Sequence, residues 1–429
     1  MIAQGIFVLV LLAAIGLFSR NVGKIRRNIL LGKDIDMSDR KGERFATMIR
    51  VAFGQSKMGT RPVPAFFHLL IYVGFVLINI EVLEIVVDGL AGTHRVFQPL
   101  LGGFYTFLLS FFEILGALVL IACIAFLYRR HVQKLDRLNM PEMKGWPQKD
   151  ATNILVVEIV LMAALFVMNA SDRAFQLSTA GSMPISSLIA PLFDTIGDGT
   201  LHTVERTAWW FHIIGILAFL NYLPFSKHFH IILAFPSTWY SRLEPKGQFA
   251  NMDSVTTEVQ LMMDPSAPTP EGYEPPISFG AKDVQDLSWK NLMEAYTCTE
   301  CGRCTSSCPA NQTGKLLSPR KVMMDTRDRL EEVGKIMDAN KGEFVDDGKN
   351  LHSYISKEEL WACTTCNACA EACPVNINPM EIIFQMRQYL VMEQADAPGE
   401  LNNMFSNLEN NGAPWQFSPA DRANWAQEG

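Results

Sequence analysis

Apolar residues are unevenly spread along this chain. Five long runs, at about 2–19, 64–87, 104–128, 152–169 and 207–233, crowd into the first half, and the rest is polar, acidic and dotted with proline. About 20 helical residues cross the hydrocarbon core of a bilayer, so the pattern predicts a five-helix membrane domain over 1–235. Buried helices of a large soluble core are the competing reading, and five such runs in one half argue against it. The segment DPSAPTPEGYEPPISFG, 264–280, has prolines that cannot continue a helix. Residues 236–280 are accordingly read as an extended linker.

Helical periodicity resumes beyond it, in DVQDLSWKNLMEAYT, SPRKVMMDTRDRLEEVGKIM and NPMEIIFQMRQYLVMEQ, with Pro319 and Pro379 near two of the starts. Strand-like alternation is scarce. The fold class expected is all-α: a transmembrane bundle followed by a helical cytoplasmic domain over 281–394 and a partner-docking tail over 395–429.

Charge places these parts relative to a membrane. Lys and Arg collect in SRNVGKIRRNILLGKDIDMSDRKGER after the first run and in YRRHVQKLDRLNMPEMKGWPQK after the third, whereas 88–103 and 170–205 are poor in them. Basic loops stay on the cytoplasmic side. The amino terminus is therefore expected outside the cytoplasmic membrane and the polar half inside. The first run lacks a charged leader and a small-residue cleavage site, which argues for a retained span. A formal net charge of −7 argues against non-specific nucleic-acid binding, which needs cations on phosphates.

Eight of the nine cysteines lie in two runs, CTECGRCTSSCP at 298–309 and CTTCNACAEACP at 363–374. Both read C-x2-C-x2-C-x3-C-P, the iron–sulfur spacing in which the fourth cysteine ligates the other cluster. Three closely spaced thiolates wrap one face of an iron–sulfur cube, and the last ligand comes from elsewhere. On that rule Cys298, Cys301, Cys304 and Cys373 hold one [4Fe–4S] cluster, and Cys363, Cys366, Cys369 and Cys308 hold the other. Structural zinc has no need of the triplet, and disulfides do not suit a cytoplasmic domain. The ninth, Cys123, reads as a small packing residue in the third span.

Paired clusters form a path for single electrons, and histidines in the membrane half are candidates for its other end. His212 and His230 lie 18 residues apart, five helical turns and about 27 Å, so one sits near each surface on a shared face. His228 falls on the opposite side of such a helix. His68, a turn inside the second span, is level with His230, the arrangement a bis-histidine haem b requires in a bundle core. Glu81, Glu84, Glu113 and Glu158 also fall within spans, where carboxyls need partners or serve function. Glu81 and Glu84 fit either proton acceptance from a quinol or interhelical bonding, with Arg95 or Arg206 as partners.

Five spans with histidines on the second and fifth resemble the cytochrome b subunit of respiratory nitrate reductase and its relative in membrane-bound heterodisulfide reductase. The run CTECGRCTSSCPA followed by TGKLLSPRKV resembles the small iron–sulfur subunit of heterodisulfide reductases. Joined, the halves are similar over nearly the whole chain to fused membrane oxidoreductases related to that enzyme.

The resemblance implies quinone chemistry, haem b and a helical dicluster ferredoxin domain. It assigns His68 and His230 to the haem nearer the clusters and His212 to a second, outer haem. The position of that haem's partner is Ile78, which leaves His212 open to other roles: a quinol pocket, another ligand, or packing. LENNGAPWQFSPADRANWAQ resembles the connector to a CCG-bearing catalytic domain, and no CCG occurs in the sequence. The expectation is an electron-transfer subunit passing electrons between the quinone pool and a separate cytoplasmic CCG-bearing partner. Two alternatives remain: flow from an electron-transfer flavoprotein to quinone, and a haem-free, membrane-tethered ferredoxin that anchors a complex.

Overall fold

In the computed structural model, which describes every residue except 174, 175, 177–182, 246, 250, 271, 417, 428 and 429, five helices are long and apolar enough to cross a membrane. They are α1 (Ile2–Ile29), α3 (Pro62–Ala91), α4 (Gly103–His131), α5 (Trp146–Ser171) and α6 (Asp198–Tyr222), with a short helix α2 (Lys41–Met48) after the first. Neighbour packs on neighbour in the order α1, α3, α4, α5, α6, and α6 returns against α1. Small residues permit the close approaches. A Cβ on Gly74 of α3 would sit 2.3 Å from Val119 Cγ2 of α4, and one on Gly89 would strike the Phe7 ring of α1 at 2.5 Å.

The fifth span departs from its expected course. The apolar run 207–233 does not form one helix: α6 gives way at Leu223–Phe225, where Pro224 cannot continue it, and a second tight turn over Lys227–Phe229 leads into α7 (His230–Trp239). The helical rotation expected to put His212 and His230 on one face, and His228 on the other, therefore does not apply. The linker is also less extended than its prolines imply. It holds the end of α7 and a helix α8 (Asp253–Met263), and the described residues of 264–280 are free of helix.

The polar half is helical as its periodicity predicts, with α9 (Trp289–Thr297), α10 (Pro319–Ala339), α11 (Pro379–Met392) and α12 (Gly399–Asn411). Pro319 and Pro379 each occupy the first position of their helix, where a missing N–H costs nothing. Among the described residues the nearest thing to a strand is an isolated parallel bridge between Lys33 and Ser288.

That bridge belongs to an extensive junction. The core around Leu292, Val322, Leu330 and Met386 runs without interruption into Ile25, Phe219, Leu223 and Phe229 of the membrane half. Arg27 and Lys24 pair with Asp338, Asn28 donates to the Tyr296 hydroxyl at 3.1 Å, and fully buried Arg320 pairs with Glu142 at 2.6 Å. The two basic loops and the cysteine-bearing domain thus share one end of the bundle.

Candidate electron-transfer site

Both cysteine runs fold into the same local shape. The residue before the second cysteine of each run has a left-handed backbone, Glu300 (φ 54°) and Thr365 (φ 55°), and so does the residue after it, Gly302 (φ 72°) and Asn367 (φ 58°). Left-handed turns of non-glycine residues cost energy and concentrate at functional sites. Here they turn backbone N–H groups toward sulfur: Thr365 N donates to Cys363 Sγ at 3.4 Å. Cys298 receives such a bond from Glu300, and Cys373 from Val375 and Ile377.

The eight thiols fall into two groups. Cys298, Cys301, Cys304 and Cys373 line one partly open cavity, about 370 Å3 with its solvent-open space included, together with Arg303, Arg320 and Met323. Cys363, Cys366, Cys369 and Cys308 lie within electrostatic reach of one another, with Cys366 exposed. Each group takes three cysteines from one run and the last from the other, the crossed grouping expected from the spacing. The groups adjoin, since Cys304 also feels Cys369.

Burial pushes the Cys298 thiol up to about 11, and those of Cys369 and Cys373 to about 12. Metal ligation requires the deprotonated form, so thiols this buried ionise when a cation takes the place of their protons. The donor set, the cavity and the amide-to-sulfur bonds fit [4Fe–4S] clusters.

Toward the membrane the first group meets the turn between α2 and α3. Lys57 Nζ donates to the carbonyls of Cys373 (3.1 Å) and Ala370 (3.3 Å), and Arg303 donates to the Lys57 carbonyl at 3.0 Å. Arg303 in turn lies within electrostatic reach of Cys301, Cys373 and His68. Arg137 reaches from the other basic loop to the Cys301 carbonyl.

His68 and His230 come within electrostatic reach of each other, and His228 joins them. The His228 and His230 rings are 5.6 Å apart, edge to face, and His228 also lies 5.5 Å from Phe219. The broken fifth span, unreadable from helical spacing, is what adds His228. His230 Nδ1 is 3.0 Å from the Lys227 carbonyl, so that nitrogen carries the proton and Nε2 keeps its lone pair, as in a ligating imidazole held from behind. Buried His228 Nε2 has no hydrogen-bond partner among the described residues. His230 with its tautomer fixed, and His68 within reach of it, fit the two ligands of a haem iron, and His228 adds a third imidazole to the group.

His212 stands apart. It is buried on α6 with Nδ1 unpartnered among the described residues and its ring against the Leu161 carbonyl of α5. Ile78 is buried and apolar.

The intramembrane carboxyls have mixed surroundings. Glu84 accepts from the Tyr105 hydroxyl (2.8 Å) and Phe97 N (2.8 Å), and Glu113 from Asn169, Ile185 N and Ser186 N. These are interhelical bonds of the structural kind. Glu81 Oε1 has no partner among the described residues. Arg206 pairs with Glu205 rather than with either α3 carboxyl, and Arg95 bonds Asp172 at 3.0 Å. Cys123 is fully buried in apolar packing.

Sequence reasoning missed the ion pair of Lys227 with Glu300 and the Asp150 carboxylate, which accepts from the Tyr222 hydroxyl at 2.5 Å and from Lys227 N at 3.1 Å. No sequence signal joins residues so far apart. It also missed a triad of His94, Asp172 and Glu205 at the far end of the bundle, whose carboxylates are engaged by Arg95 and Arg206.

A family model for the 4Fe-4S dicluster domain matches residues 294–377. The probable iron-sulfur-binding oxidoreductase FadF of Bacillus subtilis is 28% identical over 99% of this chain and 60% of its own length. The EtfAB:quinone oxidoreductase of Syntrophomonas wolfei is 27% identical over 93% of this chain and 56% of its own. The ferredoxin/F420H2-dependent CoB-CoM heterodisulfide reductase of Methanosarcina acetivorans has a subunit that is 31% identical over 24% of this chain and 49% of its own length. The chain thus spans 56–60% of the length of the two relatives that it matches along nearly all of itself. No solved structure matches it. These relatives are iron–sulfur oxidoreductases or subunits of them, and this chain sets a dicluster [4Fe–4S] domain against five apolar helices.

Proposed function

We propose that this chain conducts single electrons between a quinone dissolved in the membrane and a separate redox protein that docks on the cysteine-bearing domain. In this reading Cys298, Cys301, Cys304 and Cys373 hold the cluster nearer the membrane. Cys363, Cys366, Cys369 and Cys308 hold the outer one, and His68 and His230 hold one haem b between the helices. Bound haem and clusters supply one-electron carriers. The chain's own residues supply position and charge. Arg303 and Lys57 place cations beside the inner thiols, the Lys227 carbonyl fixes the His230 tautomer, and exposed Cys366 opens the outer group to a partner.

The observation that carries the reading is Arg303. It bonds the α2–α3 turn and stands within reach of the inner thiols on one side and of His68 on the other. One guanidinium is thus shared electrostatically by the two redox candidates.

The partner could be a CCG-bearing subunit of heterodisulfide-reductase type. The long match to the EtfAB:quinone oxidoreductase favours an electron-transfer flavoprotein as donor and the quinone as acceptor. The basic loops favour clusters in the cytoplasm and an amino terminus outside.

The test is spectroscopy on protein purified without air. A reduced b-type α band that disappears in His68→Ala, with two clusters' worth of iron and sulfide, is the expected result. Zinc at the thiols, or a spectrum without the α band, overturns the cluster or the haem assignment respectively. Reduction by flavoprotein and reoxidation by a quinone analogue, followed optically, fixes direction. The haem-free anchor predicts iron–sulfur absorbance alone.

A further inference from the structure

We propose that a cleft at the junction of the two halves, on the cluster end of the bundle, binds the ring of a quinone. The inference rests on the quinone-linked reading above and gives it a location. The cleft is open to solvent, and about 460 Å3 of space lies among its lining atoms with that open space included. Trp146, the first residue of α5, and Phe225, which ends the fifth span, form its mouth and are both well exposed. Exposed aromatic side chains at the ends of spans mark the level of the lipid headgroups, so the mouth opens where a lipid-soluble molecule enters.

The interior is polar. Lys227 and Asp150 lie on the membrane side, Glu300 and Arg327 on the cluster side. Lys227 Nζ donates to the Pro147 carbonyl at 2.6 Å and to Glu300. An ammonium has three protons, and the third is left for an acceptor such as a ring carbonyl.

Two features select this ligand class. Lys227 and Arg327 face four carboxylates, Asp150, Glu300, Asp328 and Glu331, two of which Arg130 also reaches, and the remaining negative excess disfavours a phosphate headgroup while accepting a neutral ring. The cleft also lies beside both redox candidates along the chain, since its lining residues Glu300 and Lys227 are sequence neighbours of Cys301 and His228. Rings continue inward from the mouth: Trp146 lies 6.3 Å from Tyr222, Tyr222 6.1 Å from Phe219, and Phe219 5.5 Å from His228. A lipid-soluble redox ring is the class of ligand that needs this position.

The probe is a fluorescent hydroxyquinoline N-oxide with an alkyl tail, titrated by quenching against the full chain in phosphatidylcholine nanodiscs. Wild type should bind it. Trp146→Ala and Phe225→Ala should each weaken binding at least tenfold with iron content unchanged, and Phe104→Ala, exposed at the opposite end of α4, should not. Wild-type affinity in both cleft variants overturns the location while the quinone-linked reading stands. No binding to wild type overturns both. Displacement of the probe by phosphatidylglycerol, but not by a short-chain quinone, makes the cleft a lipid site and overturns the proposal. Photolabelling of wild type by an azidoquinone needs no variant: label on 146–150 or 222–229 supports the cleft, and label confined elsewhere overturns it.

Discussion

Lys227 and Glu300 form an ion pair across the junction of the membrane and cluster halves, with side chains 8% and 2% exposed. It ties the turn that carries His228 and His230 to the loop between Cys298 and Cys301. Glu300 is also held by Arg327 at 2.7 Å. Removing one partner of a buried pair strands the other, at about 3–5 kcal/mol. Lys227→Met should fall at about 3 kcal/mol, because Arg327 still neutralises Glu300. Lys227→Met combined with Glu300→Gln should recover most of the loss. Thermal unfolding of the detergent-solubilised variants reads both, and a double variant no more stable than Lys227→Met would show that the pair is not coupled.

Acid should loosen the same junction from its other side. Lys24 and Arg27 donate to Asp338 and hold its carboxyl below the usual range. A carboxyl whose folded pKa is depressed stabilises the fold above its unfolded pKa, near 4, and that contribution disappears as pH falls through the lower, folded value. Both cations remain charged throughout. Asp338 is largely exposed, so the effect is small. Asp338→Asn should be slightly less stable than wild type at neutral pH and approach it as pH falls below the ordinary carboxyl range near 4. Parallel stability curves across that range would remove Asp338 from the acid response.

Crossed ligation makes a prediction that local ligation does not. Cys373 lies in the second run and lines the cavity of the first. Cys373→Ser should therefore perturb the same electron paramagnetic resonance signal as Cys301→Ser. Cys308→Ser should perturb the signal altered by Cys363→Ser. Pairing by run, Cys373 with Cys363 and Cys308 with Cys301, would refute the assignment.

Much of this architecture is legible in the sequence alone. Hydrophobic periodicity locates all five spans because a bilayer demands about 20 apolar residues in sequence, a local constraint. The crossed grouping of thiols is legible because the triplet leaves a cube one ligand short. The fifth span is misread because 207–233 is mostly apolar, and neither that nor Pro224 alone reveals that two tight turns divide it. His228 is lost with it, assigned to the wrong side of a helix that is not there. The docking pairs, Lys227 with Glu300 and Arg320 with Glu142, are invisible for a different reason. They join residues far apart in sequence, and each looks like an ordinary surface charge until the two halves meet.

Lys57 offers a test of which thiol group faces the membrane. Its ammonium donates to the carbonyls of Cys373 and Ala370 and to Asn376 Oδ1 at 2.9 Å, so a positive charge stands beside the inner group. Reduction adds negative charge, which a nearby cation stabilises. Lys57→Met should therefore lower the midpoint potential of the inner cluster, on the order of tens of mV for a charge several ångströms away in a partly solvated protein. Lys57→Arg should hold it near the wild-type value. The ammonium bonds the backbone of an inner ligand, Cys373, and of no outer one, so the cluster of Cys363, Cys366 and Cys369 should move less. Potentiometric titration followed by electron paramagnetic resonance separates the two signals, with Cys301→Ser identifying the inner one. A larger shift in the outer signal, or a rise in the inner one, would mean that the ammonium serves the other group.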